Sequence, residues 1–302
     1  MKLAKFWARG SEEFAGQRAT ARGWSNTSVD EAREVARKTA ARVAQKLAAG
    51  GDKGQYLYGD RPLPEPIVRE FLDPSGATRA AVTRNAYGAL VLNTRDMMFI
   101  DIDREEAATP APAAETVQAV ADLLTSGLRS LFGKSAPPPL PPPLPPPPPP
   151  SARVSDVPTE IGAIIERHQL STRVYKTAAG YRLLVTDARY TPDDTRAQAL
   201  LQQFGSDPLY VRLCSMQQSF RARLTPKPWR CDLGVPPVTF PFETPQAEAQ
   251  YAEWVRKYTA ATRMYATCRF LDSTGDKIEP DFEELIAFHD QETKAKTSMP
   301  LA

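Results

Sequence analysis

Met97-Met98-Phe99-Ile100-Asp101-Ile102-Asp103 is an apolar run that ends in two carboxylates two residues apart. On a strand, side chains at i and i+2 leave the same face. Asp101 and Asp103 therefore project together with Phe99, while Met98, Ile100 and Ile102 turn to the other side. Two like charges roughly 6–7 Å apart repel each other unless a cation lies between them. Hard oxygen donors in that arrangement suit Mg²⁺ or Mn²⁺, ions that activate a 3′-hydroxyl and stabilise a pyrophosphate leaving group. The competing account is ordinary electrostatics, with Asp101 capping a turn and Asp103 paired to a basic residue such as Arg104.

Further extended runs flank this one. Ala80–Arg84 and Ala89–Asn93 precede it, the first of them following a turn at Asp73-Pro74-Ser75-Gly76. Arg173–Thr177 and Tyr181–Thr186 come later, joined by the small-residue turn Ala178-Ala179-Gly180. Helical periodicity appears near residues 115–132, 157–168, 193–204, 245–260 and 279–290. Interleaved strands and helices predict an α+β or α/β fold, a mixed sheet with flanking helices.

The core is expected to comprise residues 51–103 and 153–290. Residues 1–50 hold ten Lys or Arg against five Asp or Glu and read as a basic helical arm. Its helix starts at the capping box Ser28-Val29-Asp30-Glu31, carries one apolar stripe through Val29, Ala32, Ala36, Ala40, Val43 and Leu47, and stops at Gly50-Gly51. Its basic face is either solvated or a nucleic-acid contact. Residues 104–152 read as an insertion made of a helix and the proline tract Pro137–Pro150, and 291–302 as a disordered tail. Proline fixes φ and removes the backbone donor, so the tract is expected to be a polyproline II rod of about 40 Å. It serves either as a spacer or as a ligand for a WW- or SH3-type partner.

The 302 residues carry a net charge of only +2, so total charge indicates little about partners. Cys214, Cys231 and Cys268 show no CxxC spacing, which argues against both a disulfide framework and a zinc ribbon. No apolar run approaches ~18 residues and no signal-peptide core opens the chain, so a cytoplasmic protein without a membrane span is expected. GxSxG, HExxH and GxGxxG are all absent. His168 reads as a helix-end histidine. DxD strands also occur in haloacid-dehalogenase-like phosphatases, but Arg104-Glu105-Glu106 departs from that pattern; they occur too in Mn²⁺-dependent glycosyltransferases.

Downstream, Arg212 to Arg230 contains Arg212, Arg221, Arg223, Lys227 and Arg230 with no acidic residue. Alternation in Phe220-Arg221-Ala222-Arg223-Leu224 puts both arginines on one strand face, and Thr225-Pro226-Lys227-Pro228-Trp229 presents Lys227 on a stiff turn. Guanidinium forks in a row match a triphosphate or a nucleic-acid backbone. Asp207, after Gly205-Ser206, is either a third metal ligand or a turn aspartate. Lys176 and Arg182 flank a turn small enough to admit a phosphate to the backbone.

Taken in order, FIDID, VYKTAAGYRLLV, and SDPLYVRL followed by FRARLTPKPWR resemble the archaeo-eukaryotic primase superfamily. The resemblance covers roughly residues 80–103 and 172–230. It implies a divalent-metal-dependent nucleotidyltransferase acting on nucleoside triphosphates and nucleic acid, with Mg²⁺ or Mn²⁺ as cofactor. Asp101, Asp103 and Asp207 would be the catalytic, metal-binding acids. Arg221, Arg223, Lys227 and Arg182, together with Arg212 and Lys176, would contact phosphate. The chain departs from the family at the middle motif, where Tyr181-Arg182 stands in place of a histidine. That departure keeps a noncatalytic nucleic-acid or phosphate-binding module open as the alternative. The whole chain is also similar to a wider set of proteins sharing the blocks GWSxxS, YGDRPL, TRNAYGALVLNT and RLTPKPWR.

Overall fold

The computed structural model describes residues 1–51, 61–104 and 157–302. The expected helix near 115–132 and the proline tract Pro137–Pro150 lie outside the described residues. Among those described, six helices and ten strands make a mixed α+β fold with three sheets, every strand pair antiparallel.

The expected helical arm is a ββα unit. Strands β1 (Phe6–Phe14) and β2 (Gln17–Ser25) form a hairpin on helix α1 (Val29–Ala48). Their inward positions are small because the helix lies almost on the sheet backbone. A Cβ at Gly23 would strike the Ala32 carbonyl, and one at Gly10 the backbone at Ala36 and Arg37. The helix answers with Ala32, Ala36, Ala40 and Ala44, all fully buried, while Val29 at the head of the predicted stripe is exposed. Ser28 caps the helix by accepting from the Glu31 N–H at 3.1 Å, and the Glu31 carboxylate accepts from the Ser25 hydroxyl at 2.5 Å. The Ser25 oxygen in turn takes the Ser28 N–H, so the return bond of the capping box passes through Ser25.

Two four-stranded sheets form the core. One runs β3 (Ile67–Leu72), β4 (Thr78–Arg84), β5 (Leu90–Thr94), β9 (Phe220–Arg223). The other runs β10 (Cys268–Thr274), β7 (Thr172–Thr177), β8 (Gly180–Val185), β6 (Phe99–Asp103). Helix α2 (Thr159–His168), α3 (Thr195–Gln203), α5 (Pro245–Ala261) and α6 (Phe282–Thr293) occur close to where periodicity places them. Helix α4 (Pro208–Gln217) takes up the run Leu209-Tyr210-Val211.

Met97, Met98, Phe99 and Ile100 are fully buried, as the opening stretch requires. Residues 291–302, expected to be disordered, are instead anchored. The Ala302 N–H donates to the Ala266 carbonyl, and the Lys294 ammonium donates to the carbonyls of Thr262, Arg263 and Tyr265. Among the described residues no helix is long and apolar enough to cross a membrane.

Candidate functional site

Strand β6 is the edge of its sheet, and its register on β8 sets Asp101 opposite Arg182 and Asp103 opposite Gly180. Gly180 is needed for that approach, since a methyl group there would run into the Ile102 carbonyl. The Arg104 N–H donates to the Ala179 carbonyl at 2.8 Å, which carries the β6–β8 pairing one residue into the small turn.

Cross-strand pairing places Phe99, Asp101, Arg182 and Tyr175 on one face of the sheet. Arg182 is 1% exposed. Its Nε donates to Asp101 at 3.3 Å and its Nη1 to the Arg223 carbonyl at 2.8 Å. A guanidinium so committed has a structural task, which corrects the expectation that Arg182 contacts phosphate. It ties the acidic end of one sheet to the basic end of the other. Asp101 keeps 31% of its side chain in contact with solvent. Asp103 is exposed at the strand end, yet enough protein surrounds it that desolvation, then Asp101 and Asp207, push its carboxyl above the usual aspartate range.

Facing these acids is a compact cationic group made by Arg223 at the end of β9 and by the turn that follows it. Lys227 and Arg230 flank Pro228 and Trp229 in a short 3₁₀ turn, Pro228–Cys231. Desolvation, followed by Arg223 and Arg230, lowers the Lys227 ammonium to about 8, while Asp103 and Asp101 oppose that fall. Burial and the same Arg223 also lower Arg230, again opposed by Asp103. Arg223 Nε and Arg230 Nη1 are buried without a hydrogen-bond partner. Among the described residues none of the three cations forms an ion pair. Three positive groups crowded together and only partly offset by Asp101 and Asp103 are costly, and an anion relieves the cost.

The remaining sequence-predicted residues lie apart from this group. Arg221 shares the strand face of Arg223 but is buried, with Nη2 on both Glu65 oxygens at 2.8 and 2.9 Å and Nη1 on Asn93 at 2.7 Å. Its fork is filled, so it is an interior ion pair rather than a phosphate contact. Lys176 pairs in register with Tyr181, on the sheet face opposite Arg182, and lies 4.4 Å from the Tyr181 ring. Arg212 sits partly buried on α4, with no interaction tying it to Arg223 or Lys227.

Asp207 is the N-cap of α4, accepting the N–H groups of Leu209 at 2.5 Å and Tyr210 at 3.4 Å. It is near enough to raise Asp103 but is occupied by the helix. Among the described residues no three His, Cys, Asp or Glu side chains converge as a metal cage. The donor set therefore fits a divalent cation only in part. Asp101 and Asp103 offer two carboxylates, and Mg²⁺ is commonly held by one or two carboxylates together with substrate phosphates. The adjacent cations are where such phosphates would rest.

Sequence reasoning assigned no role to Arg230, Tyr87 or Trp229, and it left His289 outside the middle motif. Arg230 was visible in the basic run. Tyr87, in the β4–β5 turn, and Trp229 place their rings 5.5 Å apart beside Lys227 and Arg230. His289 on α6 is fully buried, 4.9 Å from the Tyr175 ring and 5.5 Å from Phe99. Burial lowers its imidazole, so it remains neutral, enclosed on the same sheet face as Asp101 and closed off from solvent. No family model, curated protein or solved structure matches the chain.

Proposed function

We propose that this is a nucleoside triphosphate site serving divalent-metal-dependent nucleotidyl transfer. Arg223, Lys227 and Arg230 take the phosphates, and Asp101 and Asp103 hold a divalent cation jointly with them. The single observation that carries the reading is the set of three crowded cations, none of them in an ion pair, electrostatically coupled to the Asp101–Asp103 carboxylate pair. When bound, Mg²⁺ or Mn²⁺ would activate an attacking hydroxyl and neutralise the leaving pyrophosphate. The residues of the chain orient the substrate: the Lys227 turn fixes the phosphates, and Arg182 holds Asp101 in place. Nucleic acid is the proposed acceptor, in keeping with the resemblance to primases. A cytoplasmic setting suits three free, buried cysteines.

A second reading, a phosphate-binding module without chemistry, is favoured by two observations. Arg182 is buried where the resemblance expects a histidine, and Asp207 is committed to capping α4. The experiment is extension of a primed single-stranded template with labelled nucleoside triphosphates and Mn²⁺, alongside calorimetric binding of the triphosphate. Nucleotidyl transfer predicts products that Asp101→Asn with Asp103→Asn abolishes. Triphosphate binding without product, indifferent to Mn²⁺ and to both substitutions, would replace the enzyme by the binder.

A further inference from the structure

We propose that Trp229 and Tyr87 are a stacking platform for the nucleobase of the nucleotide whose phosphates rest on Arg223, Lys227 and Arg230. The inference rests on the phosphate site proposed above and adds what that site cannot select by itself: an aromatic base as opposed to inorganic polyphosphate or a sugar phosphate.

Placement carries the first part of the argument. The Lys227 ammonium lies 5.5 Å from the Trp229 ring centroid, and Tyr87 meets Trp229 edge-on at 5.5 Å with 63° between the planes. Only a sugar separates a nucleotide's base from its first phosphate, so rings bordering the phosphate-binding cation are within the base's reach. Both rings are partly exposed. Their polar ends are also unused. The Trp254 indole N–H donates to the Gly234 carbonyl at 2.9 Å, whereas among the described residues the Trp229 N–H and the Tyr87 hydroxyl have no partner.

Rigidity carries the second part. In the turn bearing Tyr87, the Ala89 N–H donates to the Asn85 side chain at 2.9 Å, the Gly88 N–H donates to the Asn85 carbonyl at 2.8 Å, and Arg84 donates to the Gly88 carbonyl at 2.6 Å. Gly88, at φ +89, packs against the Trp254 ring so closely that a Cβ would collide with it. The turn before Trp229 is held by the Tyr258 hydroxyl, which lies 2.5 Å from the Pro226 carbonyl and 2.8 Å from Thr225 Oγ1, and by Thr267, which donates to the Leu224 carbonyl at 2.8 Å. Two partly exposed aromatic residues are thus presented on braced turns. Such surfaces stack bases at low entropic cost.

The test titrates the full-length protein calorimetrically with ATP and, separately, with inorganic tripolyphosphate. Trp229→Ala is expected to weaken ATP about tenfold and to leave tripolyphosphate within twofold, with Trp229→Phe recovering most of the ATP affinity. An unchanged ATP affinity in Trp229→Ala, with tripolyphosphate still bound, overturns the platform and leaves the phosphate site standing. Equal loss of both probes overturns it as well, by making Trp229 a prop for Lys227. Failure of tripolyphosphate to bind the wild type removes the phosphate site and the platform together.

Discussion

Lys227→Met should make the protein more stable while weakening its hold on triphosphate. The ammonium falls from 10.5 to about 8, chiefly through burial and then through Arg223 and Arg230. At ~1.4 kcal/mol for each pH unit this is about 3 kcal/mol, and solvent contact at the site discounts it to about 1–2 kcal/mol. Because the folded-state pKa is depressed, the unfolded chain holds the proton more tightly, and stability rises with pH between the two values. Below pH 8 the lysine is charged in both states and its whole cost is present; between about pH 8 and 10.5 the folded form sheds the proton and the cost fades. Thermal unfolding should therefore show Lys227→Met above wild type by about 2–3 °C at pH 7, with the gap closing near pH 10.5. Tripolyphosphate affinity of the wild type should decline as pH rises through about 8. A variant no more stable than wild type at pH 7, or a gain that does not change with pH, would refute the claim that Lys227 is held among uncompensated charges.

Glu65→Gln should cost about 3 kcal/mol in urea unfolding by stranding Arg221 in the interior, yet leave triphosphate affinity of the folded protein within twofold. A tenfold loss of affinity at unchanged stability would return Arg221 to the site. Gly180→Ala should cost about 2–3 kcal/mol, because the new methyl must push β6 away from β8 at Ile102. Full stability in that variant would mean the strand pair tolerates a wider spacing beside Asp103.

The strand carrying Asp101 was legible because apolar alternation and a burial-hungry run agree there, as they do in Thr172–Thr177 and Gly180–Val185. The hairpin Phe6–Ser25 was not legible, because its inward positions are Ala8, Gly10, Ala19 and Gly23. A sheet that packs on a helix at backbone distance needs small residues, and small residues carry no hydrophobic period. Helix α4 hid for the opposite reason: Leu209-Tyr210-Val211 favours strand, although Asp207-Pro208 is a cap followed by an N1 proline. The site was half readable. Alternation put Arg221 and Arg223 on one face correctly, but the acid that neutralises Arg221 stands 156 residues earlier. A run free of local acids is not a run free of acids in space. Tyr87 reaches Trp229 from another part of the chain, and periodicity does not encode such meetings.

Arg182 spans from the Asp101 carboxylate to the Arg223 carbonyl, and so acts as a ruler between the negative and positive halves of the site. A planar fork can touch both ends at once, whereas a lysine at that position would reach one and release the other. The separation of Asp101 from the main chain at Arg223 is therefore set by the length of one side chain. On the proposed reading, a ligand with a polyanionic tail and a neutral ring would meet that polarity in one orientation only.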